Sequence, residues 1–434
     1  MATEPPPFPV DPEVLTVLAT LWEAGHGAYL VGGGVRDALL GLRVSDWDIA
    51  TNARPERILK IFPGSSYQNR FGTVLARGLE ITTFRRDHRY ADHRRPDTIT
   101  FSQDIYEDLA RRDLTINAIA WGRRGPDAQT RLVDPADGQG DLEARLVRAV
   151  GDPGRRFDED ALRLLRAVRI AARLDFEIEP VTERAMLAHA ADIEWVSEER
   201  IGSELRRMLA TEAPSRAVQL MRQTGILAPT LPELETLKAA DLERTLATLD
   251  AAAGAHPADE RLALAALLCE TGPDPARSAL VRLRVSGRDT DVICALIAAA
   301  PEPYQRGWSD ADVRRYMGRV RPDLIDDLLA LRTARSSGTD AVEHELELAH
   351  RISTQRAADS PLTIADLAID GRDLRETLGI PEGPTIGAIQ ERLLGDVIEE
   401  PTLNTRMTLL TRASLILDEL VQAGRSGAER PPIR

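Results

Sequence analysis

The 434-residue sequence has two cysteines, 4% aromatic residues and almost no lysine. Cys269 and Cys294 cannot form a disulfide framework or a four-thiolate zinc site, so we expect both to be buried as small apolar side chains. No apolar run approaches the roughly 18–20 residues that cross a bilayer, and the acidic, proline-rich start lacks the basic and apolar regions of a secretory signal. We therefore expect a cytoplasmic protein without membrane insertion.

The charge of the chain is unevenly distributed. The formal net charge is −14, which argues against a nucleic-acid partner if the charge is evenly spread. The acidic excess lies mostly in the C-terminal half, however. Lysine occurs only at positions 60 and 238, and all other basic residues are arginines, whose forked guanidinium suits phosphates and base edges. A GC-rich genome produces the same arginine usage, so composition alone leaves the partner open.

The apolar periodicity changes along the chain. At about 100–200 residues per domain, the length predicts two to four domains. The first 150 residues combine a helix at 11–25 with strand-like runs at 28–31, 46–50, 72–76 and 79–85. From about residue 155 onward, apolar residues recur every three or four positions. The pattern predicts a mixed α/β head followed by an all-helical remainder.

The first candidate site combines a glycine turn with two aspartates. Gly32–Gly34 follow a strand and precede a helix, where a backbone can approach a phosphate closely. If Asp46 and Asp48 lie in one strand, both point to the same face and Trp47 points away. Paired carboxylates with oxygen-only chemistry suit Mg²⁺. An Asp-x-Asp alone is more typical of a solvated strand edge, but the preceding glycine turn favours the metal hypothesis.

Glu80 is a further acidic residue on a predicted strand, in the run Leu79–Phe84. With apolar neighbours on the strand, it is either a third carboxylate beside the aspartate pair, which would help to hold two metals, or an ordinary exposed residue. The sequence leaves these two interpretations equally open.

The second candidate site is the run 111–118. If this run is helical, Asp113 and Asn117 lie one turn apart on the same face, where they can hydrogen-bond ribose hydroxyls. Arg112 beside them can reach a triphosphate. A capped surface helix is the alternative interpretation, and it is favoured if the run is considered alone.

The third candidate site is the run 157–169, which we predict to be one helix. Asp160, Arg163, Arg166 and Arg169 form a slanting polar ridge opposite an apolar face. Such a ridge is usually a solvated surface. Asp160 and Arg163 together nevertheless offer the acceptor and donor groups that the Watson–Crick edge of cytosine or adenine requires, while the later arginines suit phosphates.

Taken in chain order, these runs resemble the bacterial class II tRNA nucleotidyltransferases, which are the CCA-adding enzymes and their poly(A) polymerase relatives. The matching motifs are GG-x-VRD at 32–37, D-x-D at 46–48, RRD-x-T-x-NA at 111–118 and ED-xx-R at 159–163. Weaker similarity continues at 196–201 and 369–374, so the resemblance covers nearly the whole chain.

The resemblance implies an α+β fold in which a polymerase-β-type nucleotidyltransferase head with a mixed sheet precedes helical domains. The implied divisions are a catalytic head at 1–150, a helical neck with the base-recognition motif at 151–215, a helical body at 216–330 and a helical, tRNA-binding tail at 331–434. It also implies roles in catalysis for three acids, with Asp46 and Asp48 holding two Mg²⁺ ions and Glu80 matching a third acidic position.

The resemblance further implies how a nucleotide is bound. Asp113 and Asn117 correspond to ribose contacts, and Asp160 with Arg163 to the residues that select CTP and then ATP. The positions that correspond to triphosphate contacts are Gly33, Arg36, Arg112, Arg166 and Arg169.

The implied activity is template-independent addition of CCA to tRNA 3′ ends from CTP and ATP, with release of pyrophosphate by two-metal nucleotidyl transfer. An enzyme that adds only the terminal A and a poly(A) polymerase share the same motifs. The segment 86–96 matches a flexible segment that CC-adding relatives lack, which disfavours CC-only activity. A non-catalytic RNA-binding protein is the alternative from another class, and the intact Asp46/Asp48 pair argues against it. His88 and His93 lack the partners of a zinc site.

Overall fold

The computed structural model describes residues 7–69, 72–88, 98–336 and 338–426. The chain forms two compact units, one made of Met1–Leu264 with Asp274–Thr290 and the other of Ala265–Pro273 with Asp291–Arg434. Within the described ranges, every helix is too short or too polar to traverse a bilayer.

The described strands all lie in the first unit and are β1 (Ala28–Val31), β2 (Asp48–Thr51), β3 (Ser66–Asn69), β4 (Thr73–Ala76), β5 (Leu79–Thr83), β6 (Arg85–His88), β7 (Thr98–Phe101), β8 (Ala120–Arg123), β9 (Arg131–Val133), β10 (Leu146–Val147) and β11 (Glu177–Ile178). Seven of them form one sheet with the order β3-β4-β5-β2-β1-β8-β9. Its β2–β5 pair is parallel and its other pairs are antiparallel, so the predicted mixed sheet is confirmed. Two smaller sheets pair β6 with β7 and, in parallel, β10 with β11.

The helices of the first unit pack against this sheet and then against one another. The predicted helix at 11–25 is confirmed, because Asp11 caps its start and its apolar stripe is buried. The helices that lie within this unit are α1 (Pro12–Glu23), α2 (Gly33–Leu39), α3 (Pro55–Ile61), α4 (Ile105–Ala110), α5 (Gly138–Glu143), α6 (Pro153–Glu159), α7 (Leu162–Leu174), α8 (Pro180–His189), α9 (Glu198–Leu209), α10 (Pro214–Gln223), α11 (Leu227–Thr230), α12 (Pro232–Glu235) and α13 (Ala239–Ala255). Residues of both units occur in α14 (Glu260–Leu268), α15 (Pro273–Arg282) and α16 (Gly287–Ala299).

The second unit is helical, as the periodicity predicts. Its C-terminal core consists of apolar side chains between the last three helices, including Leu374, Leu393 and Leu409. Cys269 and Cys294 are both buried and form no disulfide, as expected. The helices that follow α16 are α17 (Asp310–Val320), α18 (Ile325–Arg335), α19 (Thr339–Ala357), α20 (Gly371–Leu378), α21 (Pro384–Glu399) and α22 (Arg406–Ser426).

Three local predictions are wrong. The strand predicted from residue 46 begins at Asp48, where pairing with Val31 of β1 starts. The runs 111–118 and 157–169 are not continuous helices; the first contains only a 3₁₀ turn at Thr115–Asn117, and the second is broken between α6 and α7 at Asp160. The physical reasons lie in the side-chain contacts of the candidate site.

Candidate active site

Three acidic side chains meet at one end of the central strands. Asp48 opens β2, and its partner in the parallel register with β5 is Glu80, so the two side chains are neighbours on one face of the sheet. Asp46 precedes the strand in an unpaired segment, yet it lines the same cleft, which has a volume of about 1320 Å³. The structure therefore brings together the three acids that the sequence singled out.

The charge around these acids is unbalanced. Asp48 is exposed to the cleft, but its partial removal from bulk water raises the pKa of its carboxyl. Arg112 lowers that pKa, whereas the negative charges of Glu80 and Asp46 raise it further. An arrangement in which neighbouring carboxylates repel one another, with oxygen donors alone, fits a hard divalent cation. The three carboxylates are therefore chemically suitable ligands for such a cation.

The glycine turn lies directly beside these acids. Gly32 has a φ of +76°, a conformation that side-chain-bearing residues rarely adopt. A Cβ at this position would be 3.1 Å from Nη1 of Arg112 and 3.3 Å from Oδ2 of Asp48. The absence of a side chain thus lets the backbone that leads into α2 lie between a guanidinium and a carboxylate.

Arg36, predicted to contact a triphosphate, is buried and bound to protein groups. Its Nε and Nη2 donate to Oδ1 of Asp37 at 2.8 and 2.7 Å, and its Nη1 donates to Oδ1 of Asn117 at 2.7 Å. Asn117 in turn donates from Nδ2 to Oδ1 of Asp113 at 3.2 Å. A continuous polar chain therefore joins the first motif to the second.

Asp113 and Asn117 are in contact although the predicted helix is absent. Leu114 is buried and extended, and it forms a β-bridge with Ala149. The amide of Val150 also donates to the carbonyl of Asp113, which fixes the extended backbone. Non-local backbone pairing thus prevents the helix, while the short 3₁₀ turn returns Asn117 to Asp113.

Asp113 forms an ion pair with an arginine of the third motif. Nε of Arg166 donates to Oδ2 of Asp113 at 2.7 Å. Burial would raise the pKa of Asp113, but the charge and hydrogen bond of Arg166, together with the hydrogen bond from Asn117, hold that pKa well below its usual range. Asp113 is therefore a carboxylate at neutral pH.

The third motif breaks at Asp160 because this side chain caps a helix. Oδ1 of Asp160 accepts a 3.1 Å hydrogen bond from the amide of Leu162, and its backbone is extended. Oδ2 accepts a 2.7 Å hydrogen bond from Arg200 of α9. The helical-wheel placement of Asp160 is therefore wrong, although the arginines that follow do share α7.

The arginine ridge of α7 faces protein rather than open solvent. Arg163 donates to Glu159 at 2.5 Å and to the carbonyls of Arg156 and Arg111 at 3.1 Å. Arg169 donates to Glu204 of α9 at 2.6 Å. The solvated-surface interpretation is therefore wrong for these residues.

A second cleft of about 490 Å³ adjoins the acids. It shares Asp48, Glu80 and Arg166 with the larger cleft. Its other walls carry charged residues of the second and third motifs, together with Arg200 of α9; those of the two motifs include Arg111, Arg112, Asp113, Asp160 and Arg163. Asp48 and Glu80 thus lie where an arginine-rich cleft meets a larger one.

Sequence reasoning missed several residues that hold this cleft together. Asp108 is buried, and its carboxylate accepts hydrogen bonds from both Arg111 and Arg112. Nothing in the local pattern of α4 distinguishes Asp108 from a surface residue. Arg200 and Glu204 could have been found, because they lie in or just after the weaker motif at 196–201.

Among the described residues, the histidine-containing group with metal-ligand spacing lies elsewhere. Nδ1 of His189 is 2.8 Å from a carboxylate oxygen of Asp192 and 3.4 Å from one of Asp158. Both carboxylates approach the same ring nitrogen, so the contacts are those of a hydrogen-bonded imidazole. Residues 89–96 of the flexible segment predicted at 86–96, with His93, lie outside the described residues.

Three family models match successive parts of the chain. "Poly A polymerase head domain" matches residues 28–148, and "Probable RNA and SrmB- binding site of polymerase A" matches residues 175–238. The model for tRNA nucleotidyltransferase domain 2 matches residues 255–413. The first of these contains the acids, the glycine turn and Asp113.

Known proteins are similar over most of the chain. The CCA-adding enzyme of Geobacillus stearothermophilus is 33% identical over 389 residues, which are 88% of this chain and 90% of the relative. That of Geobacillus thermodenitrificans is 35% identical over 407 residues, 91% of this chain and 94% of the relative. The crystal structure of the Bacillus stearothermophilus CCA-adding enzyme in complex with CTP is similar with a TM-score of 0.75 and 27% identity, covering 96% of this chain and all of that one.

Proposed function

The chain belongs to the CCA-adding enzymes, and from this we propose that it adds C, C and A in turn to tRNA 3′ ends, using CTP and ATP and releasing pyrophosphate. Family membership confirms the predicted nucleotidyltransferase class and the polymerase-type head with helical domains. The observation that carries the proposal is that Asp46, Asp48 and Glu80 line one cleft, and that Asp48 and Glu80 also line an adjoining cleft rich in arginines.

This family uses a divalent metal ion, and we propose Mg²⁺ for this chain. Asp46 and Asp48 would hold it, with Glu80 beside Asp48 as a further oxygen donor. When bound, such ions increase the acidity of an attacking hydroxyl and neutralise charge on a triphosphate. The support is the all-oxygen donor set and the raised pKa of Asp48, which comes first from its partial burial and then from repulsion by Glu80 and Asp46.

The smaller cleft is proposed to hold the nucleoside triphosphate. Arg112 and Arg166 face it, together with the ribose-binding candidates Asp113 and Asn117 near its wall. Guanidinium groups bind phosphate oxygens in a forked geometry, which favours this cleft over the larger one. The other proposed triphosphate contacts are Gly33, Arg36 and Arg169.

Asp160 and Arg163 are proposed to select the base. Both side chains line the smaller cleft, and their present partners leave them further hydrogen-bonding capacity. Arg200 and Glu159 hold the two groups by ion pairs. A rigid donor and acceptor pair recognises a base edge without a template, because its geometry is fixed before the nucleotide binds.

The larger cleft is proposed to receive the RNA 3′ end. It shares Asp48 and Glu80 with the smaller cleft, so a 3′-hydroxyl there can approach the α-phosphorus of a nucleotide bound in the adjoining cleft. The new P–O bond forms as the bond to pyrophosphate breaks.

The proposed domain division has four parts, which are 1–150, 151–215, 216–330 and 331–434. The last part, the helical tail, is proposed to bind tRNA. The proposed site of action is the cytoplasm, where tRNA and nucleotides are available.

A single assay tests the proposed function. The purified protein with Mg²⁺ receives three tRNA transcripts that end before CCA, after C and after CC, with CTP and ATP separately and together, and products are resolved to one nucleotide. Addition of CCA to the shortest transcript, followed by arrest, is the expected result. Addition of one A only to the CC-ended tRNA, a long A ladder, or no extension would each overturn it in favour of an A-adding enzyme, a poly(A) polymerase or a non-catalytic protein.

A further inference from the structure

The segment that carries Asp46 lies outside the sheet. Pairing between β1 and β2 begins at Asp48, and the residues from 42 to 47 adopt no regular structure. Asp46 is exposed and accepts a 3.1 Å hydrogen bond from the hydroxyl of its neighbour Ser45. The ladder therefore fixes Asp48, whereas the position of Asp46 depends on what holds this segment.

Trp47 is the residue that anchors the segment, and it is held from two sides. On one side lies Gly34 of α2, where a Cβ would be 3.0 Å from Cε3 of Trp47 and 2.9 Å from the carbonyl oxygen of Asp46. On the other side, the ring of Phe8 stacks on Trp47 with centroids 6.0 Å apart and an interplanar angle of 21°. Trp47, which lies between the two aspartates in sequence, is thus packed between Gly34 and Phe8.

Phe8 is itself buried against other aromatic side chains. It is only 6% exposed, and it makes an edge contact with Trp121 of β8 at a centroid distance of 6.3 Å. Trp121 in turn contacts Trp22 of α1 at 6.4 Å. The residues Pro9, Val10 and Asp11 continue from Phe8 along the wall of the larger cleft. An aromatic row therefore connects the start of the described chain to the acids.

We propose that Phe8 is a positioning residue for Asp46. By stacking on Trp47 it holds the unpaired segment against α2 and so fixes the separation between the carboxylates of Asp46 and Asp48. Phe8 lies more than twenty residues before the first motif, and no motif includes it. The inference rests on the proposed metal role of the two aspartates, because a shared ion is what makes their separation matter.

The test measures cation binding without any reaction. Mn²⁺ binding to the full chain, without nucleotide or RNA, is followed by the electron paramagnetic resonance signal of free Mn²⁺. For Phe8→Ala we expect the dissociation constant to rise about tenfold, since displacement of one ligand by a fraction of an ångström weakens a preorganised site. Phe8→Tyr, which keeps the flat ring, should restore most of the affinity, and Tyr67→Ala, which removes an exposed aromatic of β3, should leave it unchanged.

Two comparisons separate this inference from the proposed function. In an Asp46→Asn background, Phe8→Ala should cause no further loss of Mn²⁺ affinity, because the positioned group is already changed. Unaltered affinity in Phe8→Ala, with weakened binding in Asp46→Asn, overturns the positioning role alone. Unaltered affinity in Asp46→Asn overturns the proposed metal site itself.

Global unfolding is excluded as a cause if circular-dichroism melting still shows a cooperative transition above the assay temperature. The tRNA affinity is expected to stay within about twofold of wild type. If Phe8→Ala does not fold, Phe8→Leu retains an apolar side chain without the aromatic face. The proposal then predicts a folded protein with the same weakened Mn²⁺ binding, and wild-type affinity in Phe8→Leu contradicts it.

Discussion

Nε of Arg166 donates a 2.7 Å hydrogen bond to the carboxylate of Asp113, across 53 residues of sequence. Arg166 belongs to α7, and Asp113 belongs to the loop that follows α4. The same Asp113 accepts a hydrogen bond from Asn117, which is held by Arg36. This single ion pair therefore links the helix after the sheet to both earlier motifs.

Asp113→Asn should lower the free energy of unfolding by roughly 2–3 kcal/mol at pH 7, because it leaves a charged partner without its counter-ion. The folded protein depresses the pKa of Asp113 below the unfolded value of about 3.9, so this stabilisation is complete above that value and declines as the pH falls towards the folded pKa. Urea unfolding midpoints at pH 7 and pH 3 check this. The difference between wild type and variant should narrow at pH 3, and an equal difference at both values would refute the ion-pair account.

Asp46→Ala should reduce CCA addition by about a thousandfold or more while tRNA affinity stays within about threefold, because the change removes a proposed metal ligand and leaves the proposed tRNA-binding tail unaltered. Single-turnover extension and filter binding measure the two effects. Asp127→Ala, a change to an exposed aspartate of the same domain, is the matched control. Retained transfer in Asp46→Ala would remove this residue from the metal site.

Arg163→Ala should reduce the discrimination among nucleotides. At each addition step, kcat/KM for the correct nucleotide (CTP or ATP) should fall roughly 10–100-fold, because a hydrogen-bonded contact to a base edge is worth about 1–3 kcal/mol. Misincorporation of UTP and GTP is measured in the same assay. The control is Arg184→Ala, which removes an exposed arginine from α8. Unchanged discrimination would assign Arg163 to structure alone.

Cation binding should be sensitive to mild acid. The protein raises the pKa of Asp48, so a proton competes with the cation at higher pH than it would at an ordinary aspartate with a pKa of about 3.9. Mn²⁺ affinity measured between pH 7 and pH 4.5 should therefore fall before the ordinary carboxyl range is reached. Asp48→Asn should bind weakly at every pH, without this dependence, and a pH-independent wild type would contradict the account.

The sequence predicts the acidic residues of the site better than the strand pairing and helices that position them. Glycine turns and carboxylate spacing are local signals, and they identify Asp46 and Asp48 correctly as neighbours in one cleft. The parallel pairing that brings Glu80 beside Asp48 depends on non-local hydrogen bonds, so the sequence alone leaves both interpretations of Glu80 open. The helix predicted over 111–118 fails for the same reason, because Leu114 pairs with Ala149 in a distant segment.

The arginine ridge illustrates a second limit. A helical wheel identifies which residues share a face but not what covers that face. Arg169 meets Glu204, and Arg173 meets Asp37 from 136 residues earlier. Asp160 does not share the helical face of the arginines, because it precedes α7 and its carboxylate accepts a hydrogen bond from the amide of Leu162. Aspartate is common at such helix starts, but apolar periodicity does not reveal them.

The ion pairs of α7 also determine the shortest N-terminal fragment that should fold with the candidate site intact. A fragment ending near residue 150 would leave the carboxylates of Asp37 and Asp113 without the guanidinium groups of Arg173 and Arg166. It would also lose β11, the partner of β10. Glu204 of α9 balances Arg169, so a truncated form intended for nucleotide soaking or isotope labelling should extend at least through Leu209.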